Sequence, residues 1–233
     1  MPSTDAVKKG TGSKTNLTPF LPRVVPFAVF IVLLALQPLL AGVVDERWLV
    51  VFRGLAAAAL LAIFWPRYRE LFDVPATPAR EWVVAVGAGF LIAVLWIALD
   101  AGWAHMGERS GGFVPLDAAG GLDPLLVALR LFGFVLVVPV MEELFWRSFL
   151  MRRIDRADFL ALDPRVSTLF ALAVSSAVFA LAHSAWLAGL VAGIVYGTIY
   201  RRTGNLRACV ASHATSNLTI GGWVLATRDW SLW

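Results

Sequence analysis

LLVALRLFGFVLVVPVMEELFWRSF, Leu125–Phe149, opens as a membrane span and then breaks the rules of one. Two adjacent carboxylates, Glu142 and Glu143, and a guanidinium, Arg147, stand where lipid tails should lie. A charged side chain at that depth costs several kcal/mol, roughly 3 on insertion scales, so it must face a protein interior or a wet cavity. On a helix the two carboxylates point about 100° apart. Arg147 follows Glu143 by one turn and shares its face, so those two can pair. Pairing neutralises one carboxylate and leaves Glu142 free.

The rest of the chain supplies the membrane context. Of its 233 residues 59% are hydrophobic and 15% charged. A soluble domain is nearer half apolar and a quarter charged. Lipid can cover the surplus apolar surface, and the reading is an integral membrane protein. Further apolar runs cover 24–44, 48–66 (interrupted by Arg53), 82–99 and 208–227. The run 168–200 is long enough for two short spans, broken near His183-Ser184. The expected fold is all-α, a polytopic helical membrane protein with about seven to eight transmembrane helices. Residues 1–22 read as a flexible basic tail and 23–233 as one membrane domain. The first run has no small-residue cleavage pattern and is expected to be a retained span.

The net charge of +4 is a topology signal more than a partner signal. No Lys/Arg stripe is interleaved with exposed aromatics, so no nucleic-acid partner is expected; the partner of the spans is the lipid bilayer. Basic residues sit in the tail (Lys8, Lys9, Lys14, Arg23), after the second run (Arg67, Arg69, Arg80), after the fourth (Arg152, Arg153, Arg156, Arg165) and after the sixth (Arg201, Arg202, Arg207). The intervening loops, 45–47 and 100–123, are acidic or mixed. This alternation predicts a cytoplasmic N-terminus. The ten Trp suit anchoring at the lipid–water interface. Cys209 is the single cysteine, which leaves no intrachain disulfide and suits a small packing residue. Arg53 and Arg130 fall near the outer ends of their spans and are expected to snorkel to the interface. Gly189, Gly193 and Gly197 form a row suited to close helix packing within the chain, with a dimer face as the alternative.

Two other spans carry polar groups. His183 ends the apolar segment that contains Phe179, and His213 and Asn217 project from one face of the last span. One free carboxylate, two imidazoles and an amide from three spans suit hydrolysis by an activated water. The carboxylate takes a proton from water, an imidazole orients it, and N–H groups stabilise an oxyanion. No HExxH, GxGD or GxSxG pattern offers another route.

The three motifs Glu142-Glu143-x-x-x-Arg147, Phe179-x-x-x-His183 and His213-x-x-x-Asn217, in that order on apolar segments, resemble those of the CPBP intramembrane proteases. These are the type II CAAX prenyl endopeptidases and their bacterial relatives. The resemblance covers about 125–223 and implies a helical, glutamate-dependent peptidase of the bacterial inner (plasma) membrane that needs no metal. It implies that Glu142 and His183 activate water, that His213 and Asn217 form the oxyanion site, and that Glu143, Arg147 and Phe179 support them. The wording EELFWRSFLMRR also resembles the CAAX-protease-related proteins that accompany exosortase systems, which implies exosortase-system proteins as partners and a membrane-anchored peptide or protein tail as substrate. Three alternatives stay open: a non-catalytic binding or immunity protein of the same fold, a zinc enzyme using two His and a Glu, and a transporter.

Depth can be counted at 1.5 Å per residue from the basic loops. Glu142 and Asn217 then lie about 15 Å in, His213 roughly 9 Å and His183 about 27 Å. The first three predict a cavity entered from the cytoplasm; His183 falls nearer the opposite face.

Overall fold

Asp45, Asp123, Thr168 and Asn205 each stand immediately before an apolar run, and each caps a helix by accepting a hydrogen bond from a backbone N–H of its first turn. The computed structural model describes residues 19–40, 42–74, 76–107 and 112–233. They form eight helices: α1 (Leu21–Leu40), α2 (Glu46–Phe64), the single turn α3 (Arg69–Phe72), α4 (Ala79–Ala98), α5 (Pro124–Asp155), α6 (Leu169–Leu181), α7 (Trp186–Thr203) and α8 (Leu206–Thr227). Leu116 and Leu122 form an isolated antiparallel β-bridge. Four helices, α1, α2, α4 and α5, are long and apolar enough to cross a membrane, and α6 is a shorter apolar helix. The expected break after His183 is present, because α6 ends at Leu181 and α7 starts at Trp186. The tail lysines Lys8, Lys9 and Lys14 lie outside the described residues. The helix that follows them begins at Leu21, just inside the boundary drawn at residue 22.

Small residues let the inner helices approach closely. A Cβ on Gly189 would come 3.2 Å from Ala180 Cα, one on Gly193 3.0 Å from Ser176 Cα, and one on Gly197 2.3 Å from Leu172 Cδ1. The glycine row of α7 therefore packs on α6 within the chain. Gly89 does the same for α4 against α8, where a Cβ would meet the Ser212 carbonyl at 2.1 Å. Gly204, at φ 68°, closes α7 in the left-handed region and hands the chain to Asn205, which caps α8. α8 is thereby held centrally, with His213, Ser216 and Asn217 all buried.

α5 is not a regular helix. Its turns widen to π geometry over Phe132–Val137 and again over Leu144–Met151. Pro139 explains the first. In the wide register its nitrogen would face the Phe134 carbonyl, but proline has no N–H to give. The orphaned carbonyl accepts instead from Asn217 Nδ2 of α8 at 2.7 Å. At 32 residues α5 is also longer than the roughly 30 Å of hydrocarbon requires.

The basic end of the bundle is tied by its own arginines. Arg23 holds Glu70 through two contacts of 2.6 and 2.8 Å, and Ser148 donates to the same carboxylate at 2.6 Å. Burial alone would push the Glu70 carboxyl up, but Arg23 and Ser148 hold it below its ordinary value. Arg152 gathers the loop after α5 by donating to the Leu160 and Leu162 carbonyls at 2.9 and 3.1 Å.

Candidate functional site

Glu143 is wholly buried and is the centre of the polar network. Its Oε1 accepts from Arg147 Nη1 at 3.1 Å, one turn along α5, and from His213 Nδ1 at 3.0 Å, across the interface with α8. The expected Glu143–Arg147 pair is present, and His213 joins it. Arg147 is fixed further by Gly193 O at 3.3 Å and lies over the rings of Phe179 and Tyr196 at 4.5 and 5.3 Å. These contacts matter because a buried guanidinium held by one carboxylate still has donors to satisfy. Glu142 is buried on the neighbouring face, and its Oε2 has no hydrogen-bond partner.

The two imidazoles are fixed through the same ring atom and differ in what holds them. His183 Nδ1 lies 2.7 Å from the Phe179 carbonyl, one turn back. A carbonyl only accepts, so Nδ1 carries the proton and Nε2 presents a lone pair. His213 Nδ1 faces a carboxylate oxygen that also accepts from Arg147, which again puts the proton on Nδ1. Neutral His213 therefore offers an acceptor at Nε2 and donates there only as the imidazolium. Aromatic rings set both orientations. Tyr196 stacks on His213 with centroids 4.9 Å apart, and Trp96 and Phe179 flank His183 at 5.6 and 4.4 Å.

A cavity of about 90 Å³ brings these parts together. His183, His213, Asn217 and Phe179 all line it, joined by Tyr196 and Ser216. Glu142 does not: the wall on that side is Phe134 and Val138 of α5, and Glu142 stands one turn beyond Val138. The cavity also departs from the depth count. Its lining reaches Trp96, His183 and Leu232, which follow the course of the helices toward the end that carries the 100–123 loop. α6 is only 13 residues long, about 20 Å at 1.5 Å per residue, so His183 just past its end lies less deep than the count from Arg165 gave. The predicted entry from the basic face is not the direction in which the cavity extends.

Tyr196, Ser216, Trp96 and the Phe134 carbonyl were not among the residues expected from the motifs. Pro139 was a usable signal for the last of them, since a proline inside an apolar helix must strand a carbonyl. Tyr196 is a phenol in an apolar span, which needs a polar partner when buried. Among the described residues no group of three or more His, Cys, Asp and Glu side chains could hold a metal ion, so the two His and one Glu of the zinc alternative do not converge as ligands. Cys209 is buried as a packing residue, its Sγ 3.4 Å from the Tyr196 carbonyl.

Two imidazoles and an amide thus line a cavity inside a bundle of apolar helices, and one of those imidazoles is bonded to the buried Glu143–Arg147 pair. Residues 124–219 match the family model for type II CAAX prenyl endopeptidase Rce1-like proteins. The match covers less than half of the chain, from the start of α5 into α8, and it contains Glu142, Glu143, Arg147, Phe179, His183, His213 and Asn217. No curated protein and no solved structure matches the chain.

Proposed function

We propose that this protein is a glutamate-type endopeptidase that adds water to a peptide bond in a membrane-anchored peptide or protein tail. The observation that carries the reading is the cavity shared by His183, His213 and Asn217, with the Glu143–Arg147 network directly behind it. In the proposed cycle Glu142 takes a proton from water, and the lone pair on His183 Nε2 accepts the other water hydrogen and aims the oxygen at the carbonyl carbon. The tetrahedral oxyanion is met by the His213 imidazolium, stabilised by Glu143, and by the second N–H of the Asn217 amide. The proton held by Glu142 then passes to the departing amine, and a new carboxylate and a free amine leave. The proposal includes a plasma-membrane location, a cytoplasmic N-terminus and no metal cofactor. Exosortase-system proteins are proposed partners on the strength of the EELFWRSFLMRR wording alone.

A second assignment of the base has its own support. His213 lines the cavity and Glu142 does not, so the Glu143–His213 dyad can take the proton from water in place of Glu142. Single-turnover cleavage of a membrane-anchored reporter separates the two. Under the first, Glu142→Gln loses at least about a thousandfold in rate while the protein still folds. Under the second, Glu142→Gln stays within about threefold of wild type, and Glu143→Gln and His213→Ala carry the loss. EDTA leaves the wild-type rate unchanged in both; a loss restored by zinc would overturn the metal-free mechanism.

A further inference from the structure

Arg53 does not snorkel, and Arg130 is half-buried against aromatic rings. Arg53 is 9% exposed, its Nη1 donates to Gln37 Oε1 at 3.0 Å, and its guanidinium lies 4.7 Å over the Phe30 ring. Arg130 makes no hydrogen bond among the described residues and is enclosed by the rings of Phe113, Phe134 and Trp233 at 5.6, 5.1 and 5.7 Å. The Nε of each is buried without an acceptor. Both line one crevice between α1, α2 and α5, and Arg130 feels the charge of Arg53.

Two guanidinium groups thus share a crevice in which no described residue supplies a carboxylate. Arginine cannot shed its proton. The nearby acids are otherwise engaged: Asp45 grips Arg47 at 2.5 Å, and Asp123 caps the start of α5. Among the described residues no acid forms an ion pair with Arg53 or Arg130. Aromatic faces offer a buried cation only about 2 kcal/mol or somewhat more, against a desolvation cost of several kcal/mol per ion. A like-charge pair without a partner among the described residues calls for a counter-ion.

We propose that Arg53 and Arg130 form a binding site for a single anionic atom, either a free halide or one oxygen of a lipid phosphate. The space between them sets the size. The enclosed volume is about 10 Å³, the room needed by one water-sized particle. A whole phosphate does not fit, but a chloride does, and so does one phosphate oxygen whose headgroup stays outside. Val138 lines both this crevice and the site cavity, so the anion sits on the opposite side of α5 from His213 and Asn217.

The test uses the full chain in nanodiscs of zwitterionic lipid in a low-ionic-strength zwitterionic buffer. Adding chloride or bromide is expected to raise the unfolding temperature by roughly 2–4 °C in a saturable way, with one radioactive chloride bound per chain. Arg53→Met and Arg130→Met remove the saturable part and leave any general salt effect. Should a variant fail to fold, chloride binding to the wild type still decides the matter. A response to phosphatidylglycerol nanodiscs and none to halide assigns the anionic oxygen to the lipid. Absence of both responses, or a response that survives in both arginine variants, overturns the site.

Discussion

Glu143 has two donors, Arg147 and His213, on a single acceptor oxygen, Oε1, while its Oε2 is buried without a partner. That imbalance fixes how the residues respond to substitution. Removing Arg147 leaves a buried carboxylate with only His213, and breaking such a pair costs about 3–5 kcal/mol. Removing Glu143 strands Arg147 and His213 together. In a double-mutant cycle, Arg147→Met and Glu143→Gln should therefore destabilise strongly alone and be non-additive together, with a coupling of about 1–3 kcal/mol in unfolding free energy. Additive losses would mean that the two side chains act independently. The Glu143–Arg147 pair was legible from spacing alone, because residues four apart on a helix must meet. The third member was not. That His213 Nδ1 bonds to Glu143 depends on how α8 rotates against α5, and no local pattern encodes that rotation.

Among the elements, α5 decides the geometry of the site. Its wide turn before Pro139 releases the Phe134 carbonyl, and Asn217 answers it. Pro139→Ala restores an N–H at the position that the carbonyl faces, so the backbone can reclaim the bond from the amide. The unfolding temperature is expected to hold or rise, since Ala favours helix over Pro by about 3 kcal/mol, while cleavage slows by about tenfold as Asn217 loses its tether. A variant with unchanged turnover would show that the tether does not position Asn217 for the reaction. The apolar runs and the α6–α7 break could be read directly, because length and hydropathy report spans and a His-Ser pair interrupts one. Arg53 and Arg130 could not. Nothing local distinguishes an arginine bent toward the headgroups from one folded inward against Phe30 or Trp233.

The whole bundle has two unlike ends. Arginines from α1, α5 and α7 knit one of them: Arg23 to Glu70, Arg152 to the loop carbonyls, and Arg201 to Ser167 O at 2.6 Å. The other end carries the His105–Asp100 pair and the bond from Met106 N to Ser184 O at 2.8 Å, which pins the loop after α4 to the α6–α7 turn. The cavity extends toward this second end. Ser148 and Ser212 are fully buried and unsuited to reporting on sidedness, but Asp158 and Ser184 are exposed. In a Cys209→Ala background, Ser184→Cys should react with a membrane-impermeant thiol reagent from outside intact cells, and Asp158→Cys only in inverted vesicles. The opposite pattern would reverse the topology that the basic loops predict. The direction of the cavity was not legible in the sequence, since counting residues along each helix ignores where neighbouring helices leave space.

The wide turns of α5 also bear on descent. A π turn is equivalent to one residue inserted into an α-helix, and each residue turns the helix by about 100°. A relative with a regular helix here would align with a one-residue gap near Gly133. Everything N-terminal to that gap would then sit on a different face, including the position occupied here by Arg130. Lineages that share Glu142, His183 and His213 can thus differ in what the first third of this helix presents, with a single codon gained or lost as the dividing event.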